Sequence, residues 1–413
     1  MAVPMSKEAK LALIQENIAE TLNPELIDEV LSKNETLRIY WGTATTGKPH
    51  CGYFVPMMKL AQFLQAGANV KAGSACILLA DVHGFLDAGK APIELVEFRA
   101  QYYRHCIISL LKAVNVPIDK LEFVLGSSYQ LTSKYTMDVY RLASITTSTR
   151  AQHSGADVVK QAAAPALSSL LYPLLQALDE EYLGVHAQFG GVDQRKIFTL
   201  ATELLPKAGY KSRAHIMNHI VPGLTGVKMS ASDPNSKIDL LETPENVVKK
   251  IKKATCVPKV VEDNGLIAFV EHVLLPASSL LDGERHFTVE QRDAEPLIYR
   301  DIETVKKDYV ADVLTPQLLK PAVSTALNRL LAPISAEFQN STEWQEIEKK
   351  AYPVEGPKEK KQKPKKDKGS RHPGAGAKPS EVQAEEGKDL PTQATKEDVG
   401  ASAADAMEKM SVN

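Results

Sequence analysis

The sequence predicts an α/β protein: a parallel-sheet domain, then an all-α domain, then a disordered, charged C-terminal tail. Three observations lead there. Short apolar runs at residues 37–41, 77–80 and 121–126 alternate with stretches of helical spacing, the pattern of βαβ units. From Asp239 to Phe338 strand signals largely vanish, while Val247, Val248 and Ile251, then Leu318, Leu319, Val323 and Leu327, recur at helical intervals. After Tyr352 almost nothing apolar remains. The expected divisions are 1–36 (helical extension), 37–238 (α/β domain), 239–345 (α-helical domain) and 346–413 (tail). A chain of 413 residues, 44% hydrophobic and 24% charged, can bury a large core.

Taken in order, residues 6–33 place Leu11, Ile14, Ile18, Ile27, Val30 and Leu31 at helical intervals, interrupted by Asn23-Pro24, and read as two short amphipathic helices. Residues 38–54 (Arg-Ile-Tyr-Trp-Gly-Thr-Ala-Thr-Thr-Gly-Lys-Pro-His-Cys-Gly-Tyr-Phe) read as strand, Gly/Thr-rich loop and helix start. Such a junction is expected to offer free backbone N–H groups and the positive end of a helix dipole to an anion, with Lys48 and His50 as added donors; an ordinary βα turn is the alternative. The strand near residue 77 ends in Asp81 and His83, and His83 is equally a candidate for a satisfied core histidine. Tyr172, Gln176 and Asp179 fall on one helix face. A buried polar trio there needs partners, whereas Glu180 and Glu181 following Asp179 favour a solvated face. Beyond it, Ala-Gln-Phe-Gly-Gly-Val-Asp-Gln runs through Gly191 to Asp193 and Gln194 at a helix start, where an acidic side chain beside glycines can meet ribose hydroxyls. The loop at 224–232 brings Lys228 with Met229, Ser230 and Ser232, a mobile cation and two hydroxyls suited to phosphate oxygens.

Pro-His-Cys-Gly-Tyr at 49–53 resembles the "HIGH" element of the class I aminoacyl-tRNA synthetases, and Lys-Met-Ser-Ala-Ser at 228–232 resembles their "KMSKS" element, in the right order and at wide separation. With the polar trio and the Gly-Gly-Val-Asp-Gln stretch, the likeness narrows to the tyrosyl-tRNA synthetases of eukaryotic cytosolic type, over about residues 35–340. The resemblance implies a Rossmann-like catalytic domain, an α-helical anticodon-binding domain and a homodimer. It implies that Tyr40 and Asp179 hold the phenolic hydroxyl of L-tyrosine, and that Tyr172, Gln176 and Gln194 surround its α-ammonium group. ATP would meet Gly42, Thr43, Lys48, His50, Gly52, Gly191, Asp193, Lys228 and Met229. His50, Lys228, Ser230 and Ser232 would carry catalysis. ATP enters as a substrate with Mg²⁺, and no permanently bound, protein-ligated metal is expected. Tyrosine can be told from phenylalanine by buried polar groups left unpaired without the hydroxyl, so no editing domain is needed.

Three departures stand out: Ala231 replaces the second lysine of "KMSKS", residues 67–77 are several positions longer than usual, and His186 stands where the family generally has aspartate. Candidate contacts to tRNA(Tyr) are Arg150 and His153 toward the acceptor end and Phe287, flanked by Arg285 and His286, as a base-stacking ring, with local core cover as the alternative for Phe287. The tyrosine-containing stretch 129–140 is a candidate two-fold interface. Residues 356–380 hold nine Lys or Arg against two Asp or Glu, and 381–413 reverse to eight acidic against three basic. The basic part suits non-specific attraction to tRNA phosphates, with nuclear targeting or plain solvation as alternatives. Scattered Cys51, Cys76, Cys106 and Cys256 read as thiols in a reducing compartment. No uninterrupted apolar run spans a bilayer and no secretory or transit pattern opens the chain, so a cytoplasmic protein with no membrane partner is expected.

Overall fold

The computed structural model describes residues 5–66, 75–87, 92–118, 121–159, 165–224 and 237–353. The chain divides into two units, Met1–Gly356 and Pro357–Asn413, and every described residue belongs to the first.

Alternating apolar strands and helices wind into one sheet. The strands are β1 (Ile18–Leu22), β2 (Ile39–Ala44), β3 (Ala75–Ala80), β4 (Glu122–Leu125), β5 (Ala187–Gly191) and β6 (Ala214–Asn218), in the order β1-β6-β5-β2-β3-β4. All neighbours are parallel except β1, which runs antiparallel to β6. Helices α1 (Lys7–Gln15) and α2 (Pro24–Ser32) flank β1, α3 (Phe54–Gln65) links β2 to β3, and α4 (Asp81–Leu86) with α5 (Ile93–Ala113) leads to β4. Then come α6 (Ser127–Gln130), α7 (Ser133–Ser144), α8 (Ser148–Ser154) and α9 (Leu167–Tyr182) before β5, and α10 (Arg195–Leu204) before β6. The chain moves outward from β2 through β3 to β4 and then returns to β5 on the other side of β2. That reversal opens a crevice at the carboxyl ends of β2 and β5, where open α/β sheets bind ligands.

The strand period of two sorts the sheet's side chains. Ile39, Trp41, Ile77 and Leu79 pack into the large core with α3 and α5, whereas Tyr40, Cys76, Leu78 and Ala80 face the opposite side with Val185. Tyr40 donates to the Gln176 carbonyl at 3.3 Å, so α9 lies on that second face.

Two elements differ from the sequence reading. The N-terminal segment holds a strand between its two helices, because Asn17 and Asn23 adopt left-handed backbone (φ 54° and 52°) and stop helical continuation on either side of β1. The helical region comprises α11 (Pro244–Lys253), α12 (Gly265–Phe269), α13 (Leu275–Asp282), α14 (Ile302–Val310), α15 (Pro316–Asn340) and α16 (Thr342–Ala351). It also carries an antiparallel hairpin, β7 (Phe287–Val289) with β8 (Leu297–Tyr299), whose three-residue strands are too short to show alternation. Apolar residues on both sides of position 238, among them Cys51, Ile238, Ile251 and Leu327, share one core. The run Gly265–Asp282 has the length and composition to cross a membrane, but 56% of it is buried inside the protein. All four cysteines are free thiols, three of them buried.

Candidate active site

The first strand of the parallel set delivers Gly42, Thr43 and Ala44 to the crevice, and the chain reaches His50 through an irregular loop. A short 3-10 turn, Cys51–Tyr53, then starts α3. The expected free amides are committed here: Cys51 N–H donates to the Ile238 carbonyl at 2.8 Å, Gly52 N–H to His50 Nδ1 at 3.2 Å, and Tyr53 N–H to the His50 carbonyl at 2.9 Å. His50 therefore caps the turn through Nδ1, leaving an anion to be met by side chains rather than by this backbone. Thr43 Oγ1 lies 2.8 Å from the Tyr53 hydroxyl, which fixes the loop's entry.

A cleft of about 360 Å³ opens at this point. Its wall includes Tyr40, Gly42, Thr43, His50 and Gly52 from the first half of the sheet, and Tyr172, Gln176, Asp179, Gly191, Asp193 and Gln194 from the second. A Cβ on Gly42 would meet Tyr40 and Leu78 at an ordinary 3.5 and 3.6 Å, so the protein itself does not demand glycine there; its absence keeps the cleft open. A Cβ on Gly191 would collide with the Asp193 carboxylate.

Asp179 lies at the cleft's buried end, fully inaccessible to solvent. Its Oδ1 accepts from Tyr129, Gln130 and Tyr135, each at 2.8 Å, whereas Oδ2 has no hydrogen-bond partner among the described residues. Burial pushes the carboxyl up to about 7 even though the three donors pull it down. His83 Nε2 stands 3.8 Å from Oδ2, and burial lowers that imidazole to about 4, so it is neutral. Gln176 Nε2 donates to Gln194 Oε1 at 3.0 Å, and Gln194 Nε2 to Asp193 Oδ2 at 3.3 Å. Tyr172 stays protonated because burial raises its pKa, with Asp87 and Asp193 adding to the shift. The cleft thus couples an unfilled acceptor in an aromatic slot to a polar, glycine-lined mouth, an arrangement that can select a small phenol and place it beside a nucleotide.

The family profile for "tRNA synthetases class I (W and Y)" matches residues 32–332. The chain belongs to this family. It is 53% identical over 381 residues to the cytoplasmic tyrosine–tRNA ligase of Saccharomyces cerevisiae, covering 91% of this chain and 95% of that protein. It is 51% identical over 353 residues to the Danio rerio cytoplasmic tyrosine–tRNA ligase, covering 86% of this chain but only 65% of that longer one. Among solved structures, the tyrosyl-tRNA synthetase of Archaeoglobus fulgidus complexed with L-tyrosine matches with a TM-score of 0.72 at 36% identity, over 80% of this chain and 99% of that one.

For this class I synthetase, the remaining expected positions fall in several places. Lys228, Met229, Ser230, Ala231 and Ser232 lie outside the described residues, as do 67–74 of the lengthened segment. Lys48 is not on the cleft wall; its ammonium pairs with Glu348 at 2.6 Å. Arg150 pairs with Glu203 on the surface. Phe287 sits in β7 with 2% exposure, packed in the large core, so its ring is not offered to a base. His186 accepts the Arg38 N–H at 3.0 Å through Nδ1, spending its ring on the backbone before β2. Sequence reasoning missed the role of Tyr129, Gln130 and Tyr135 around Asp179. The available signal was Tyr135, Val139 and Leu142 at steps of four and three, which turn Tyr135 inward, where its hydroxyl needs a partner.

Proposed function

We infer that the chain activates L-tyrosine with ATP and transfers the tyrosyl group to tRNA(Tyr) in the cytoplasm, as a tyrosine–tRNA ligase. The observation that carries the reading is Asp179 Oδ2, a buried acceptor without a hydrogen-bond partner among the described residues, at the end of an aromatic slot. A tyrosine hydroxyl donates to it; a phenylalanine ring leaves it unpaired, and this family is itself the standard illustration of that discrimination. Tyr40 rests on the Gln176 carbonyl at 3.3 Å, longer than a usual hydroxyl bond, so its proton can turn onto the phenol oxygen. The α-ammonium group then falls toward Tyr172, Gln176 and Gln194, where Asp87 and Asp193 supply negative charge. Gly42 and Gly191 leave room for adenosine, Asp193 accepts from the ribose, and His50 with the Lys228 loop meets the phosphates.

Both steps run at one site. A tyrosine carboxylate oxygen attacks the α-phosphorus, the bond to the bridging oxygen breaks and pyrophosphate leaves; a terminal ribose hydroxyl of tRNA then attacks the carbonyl, and AMP leaves. The chain's contribution is positioning and stabilisation of charge on phosphate oxygens. Mg²⁺ bound to the triphosphate would neutralise part of that charge.

A homodimer would cover the exposed apolar residues Met137 and Tyr140 on α7, with Leu131 just before that helix and Ile145 just after it. Arg150 and His153 on α8 remain the residues proposed to meet the acceptor end. The deciding assay is pyrophosphate exchange into ATP with each amino acid in turn, followed by tRNA charging. Exchange and charging with tyrosine are expected; exchange driven by tryptophan, or by no amino acid, would overturn the reading.

A further inference from the structure

We propose that α16 positions the nucleotide loop, with Glu348 and Tyr352 acting as positioning residues for the ATP half of the reaction. The proposal rests on the reading above. Residues 45–50 connect β2 to the turn that begins α3 and carry no helix or strand of their own, so their shape must be imposed from outside.

Three sources impose it. From the segment that follows the Lys228 loop, Lys237 Nζ donates to the Lys48 carbonyl at 3.2 Å, and Leu240 N–H to the Pro49 carbonyl at 3.4 Å. From α5, the Tyr103 hydroxyl donates to the Gly47 carbonyl. From the end of the described chain, Glu348 pairs with the Lys48 ammonium at 2.6 Å, and the Tyr352 hydroxyl donates to the Thr46 carbonyl at 3.4 Å. Lys48 also lies over the Tyr352 ring at 5.6 Å.

The strap is itself anchored. Arg99 of α5 lies 5.0 Å from the centre of the Tyr352 ring and donates to the Ala351 carbonyl at 3.2 Å, while Trp344, fully buried, stacks on His105 at 5.5 Å. Helix α5 thus carries both Tyr103 and the platform for α16, so one rigid element references three successive loop residues. Two consequences follow. The Lys48 charge acts on the loop rather than on phosphate, because its ammonium is spent on Glu348 and lies off the cleft wall. The tyrosine end of the cleft, built on α9 and α7, has none of these contacts.

The test is pyrophosphate exchange in the full chain, with ATP and tyrosine varied separately, alongside tyrosine binding followed by fluorescence. Glu348→Gln is expected to raise KM for ATP roughly five- to tenfold, the scale of one partly exposed charge-assisted hydrogen bond. Tyr352→Phe, which removes a single hydroxyl, is expected to raise it about twofold to threefold. Tyrosine affinity should stay within about twofold in both. Combining Lys48→Glu with Glu348→Lys should recover part of what either single change loses. Unchanged KM for ATP in both variants, or equal losses for ATP and tyrosine, would overturn the proposal. Should Glu348→Gln fail to fold, Tyr352→Phe carries the test, and its KM for ATP decides. Wild-type protein showing no tyrosine-dependent exchange would instead overturn the functional reading.

Discussion

Burying the Asp179 carboxylate opposes its ionisation, and three donors on one oxygen offset this only in part, leaving it at about 7 against an ordinary 3.8. Between those values the folded state holds a proton that the unfolded chain has lost, so stability falls as pH rises across the window and the full penalty applies above 7. At ~1.4 kcal/mol per pH unit, the cost is on the order of 4 kcal/mol. Asp179→Asn should therefore melt higher than the wild type at pH 8, by a margin that shrinks toward pH 5; a margin constant with pH would assign the shift to another group. The same variant should lose roughly 10- to 100-fold of its preference for tyrosine over phenylalanine in exchange assays, since an amide no longer penalises a missing hydroxyl to the same degree. Asp179 was legible in the sequence as a polar residue on the Tyr172 and Gln176 face, but its burial followed only from the family resemblance and not from spacing. The neighbours Glu180 and Glu181 suggested solvent, whereas Glu180 is itself fully buried.

Helix α9 can afford that second buried acid because Glu180 Oε1 lies 2.8 Å from His215 Nε2 on β6, both residues fully enclosed. The pair fixes the rotation of α9 against the sheet, and with it the direction of Asp179. Glu180→Ala should cost roughly 1–3 kcal/mol by leaving buried imidazole nitrogen without its partner, read as a lower midpoint in urea with little change in slope. It should also weaken tyrosine binding more than ATP binding, because α9 contributes the amino-acid end. Among elements, the long periodic helices and the apolar strands β2 to β4 were readable from spacing alone. β1 was not, since Ile18 fits a helical period as well as a strand, and only the left-handed Asn17 and Asn23 separate the two. The β7–β8 hairpin escaped for a similar reason: three residues are too few to establish a period of two.

At the scale of the molecule, pairing of the distant sequence segments could be inferred from their residue types, because a phosphate loop and a polar helix face are useful only at one crevice. What spacing could not supply was the contact of α16 with the nucleotide loop, a meeting of residues 300 apart decided by how the helical region packs on α5. Assembly can be tested on the exposed face of α6 and α7. Met137→Glu combined with Tyr140→Glu replaces two side chains that are 53% and 62% exposed, so it should leave the fold intact, and on the proposed homodimer it should shift sedimentation toward the monomer. The tail poses a separate question of charge. Its segment 356–380 carries a net excess of seven positive charges, nine basic less two acidic, with almost no apolar residue to bury. Such a segment acts on a polyanion by counterion release, which is steeply salt-dependent and indifferent to base sequence. Removing residues 357–413 should leave tyrosine-dependent pyrophosphate exchange unchanged, since that reaction involves no RNA. Charging should suffer at low salt, through a higher KM for tRNA, and the truncated and full chains should converge as salt rises. Convergence would mark the tail as an electrostatic tether, whereas a deficit that persisted at high salt would mean that it makes specific contacts.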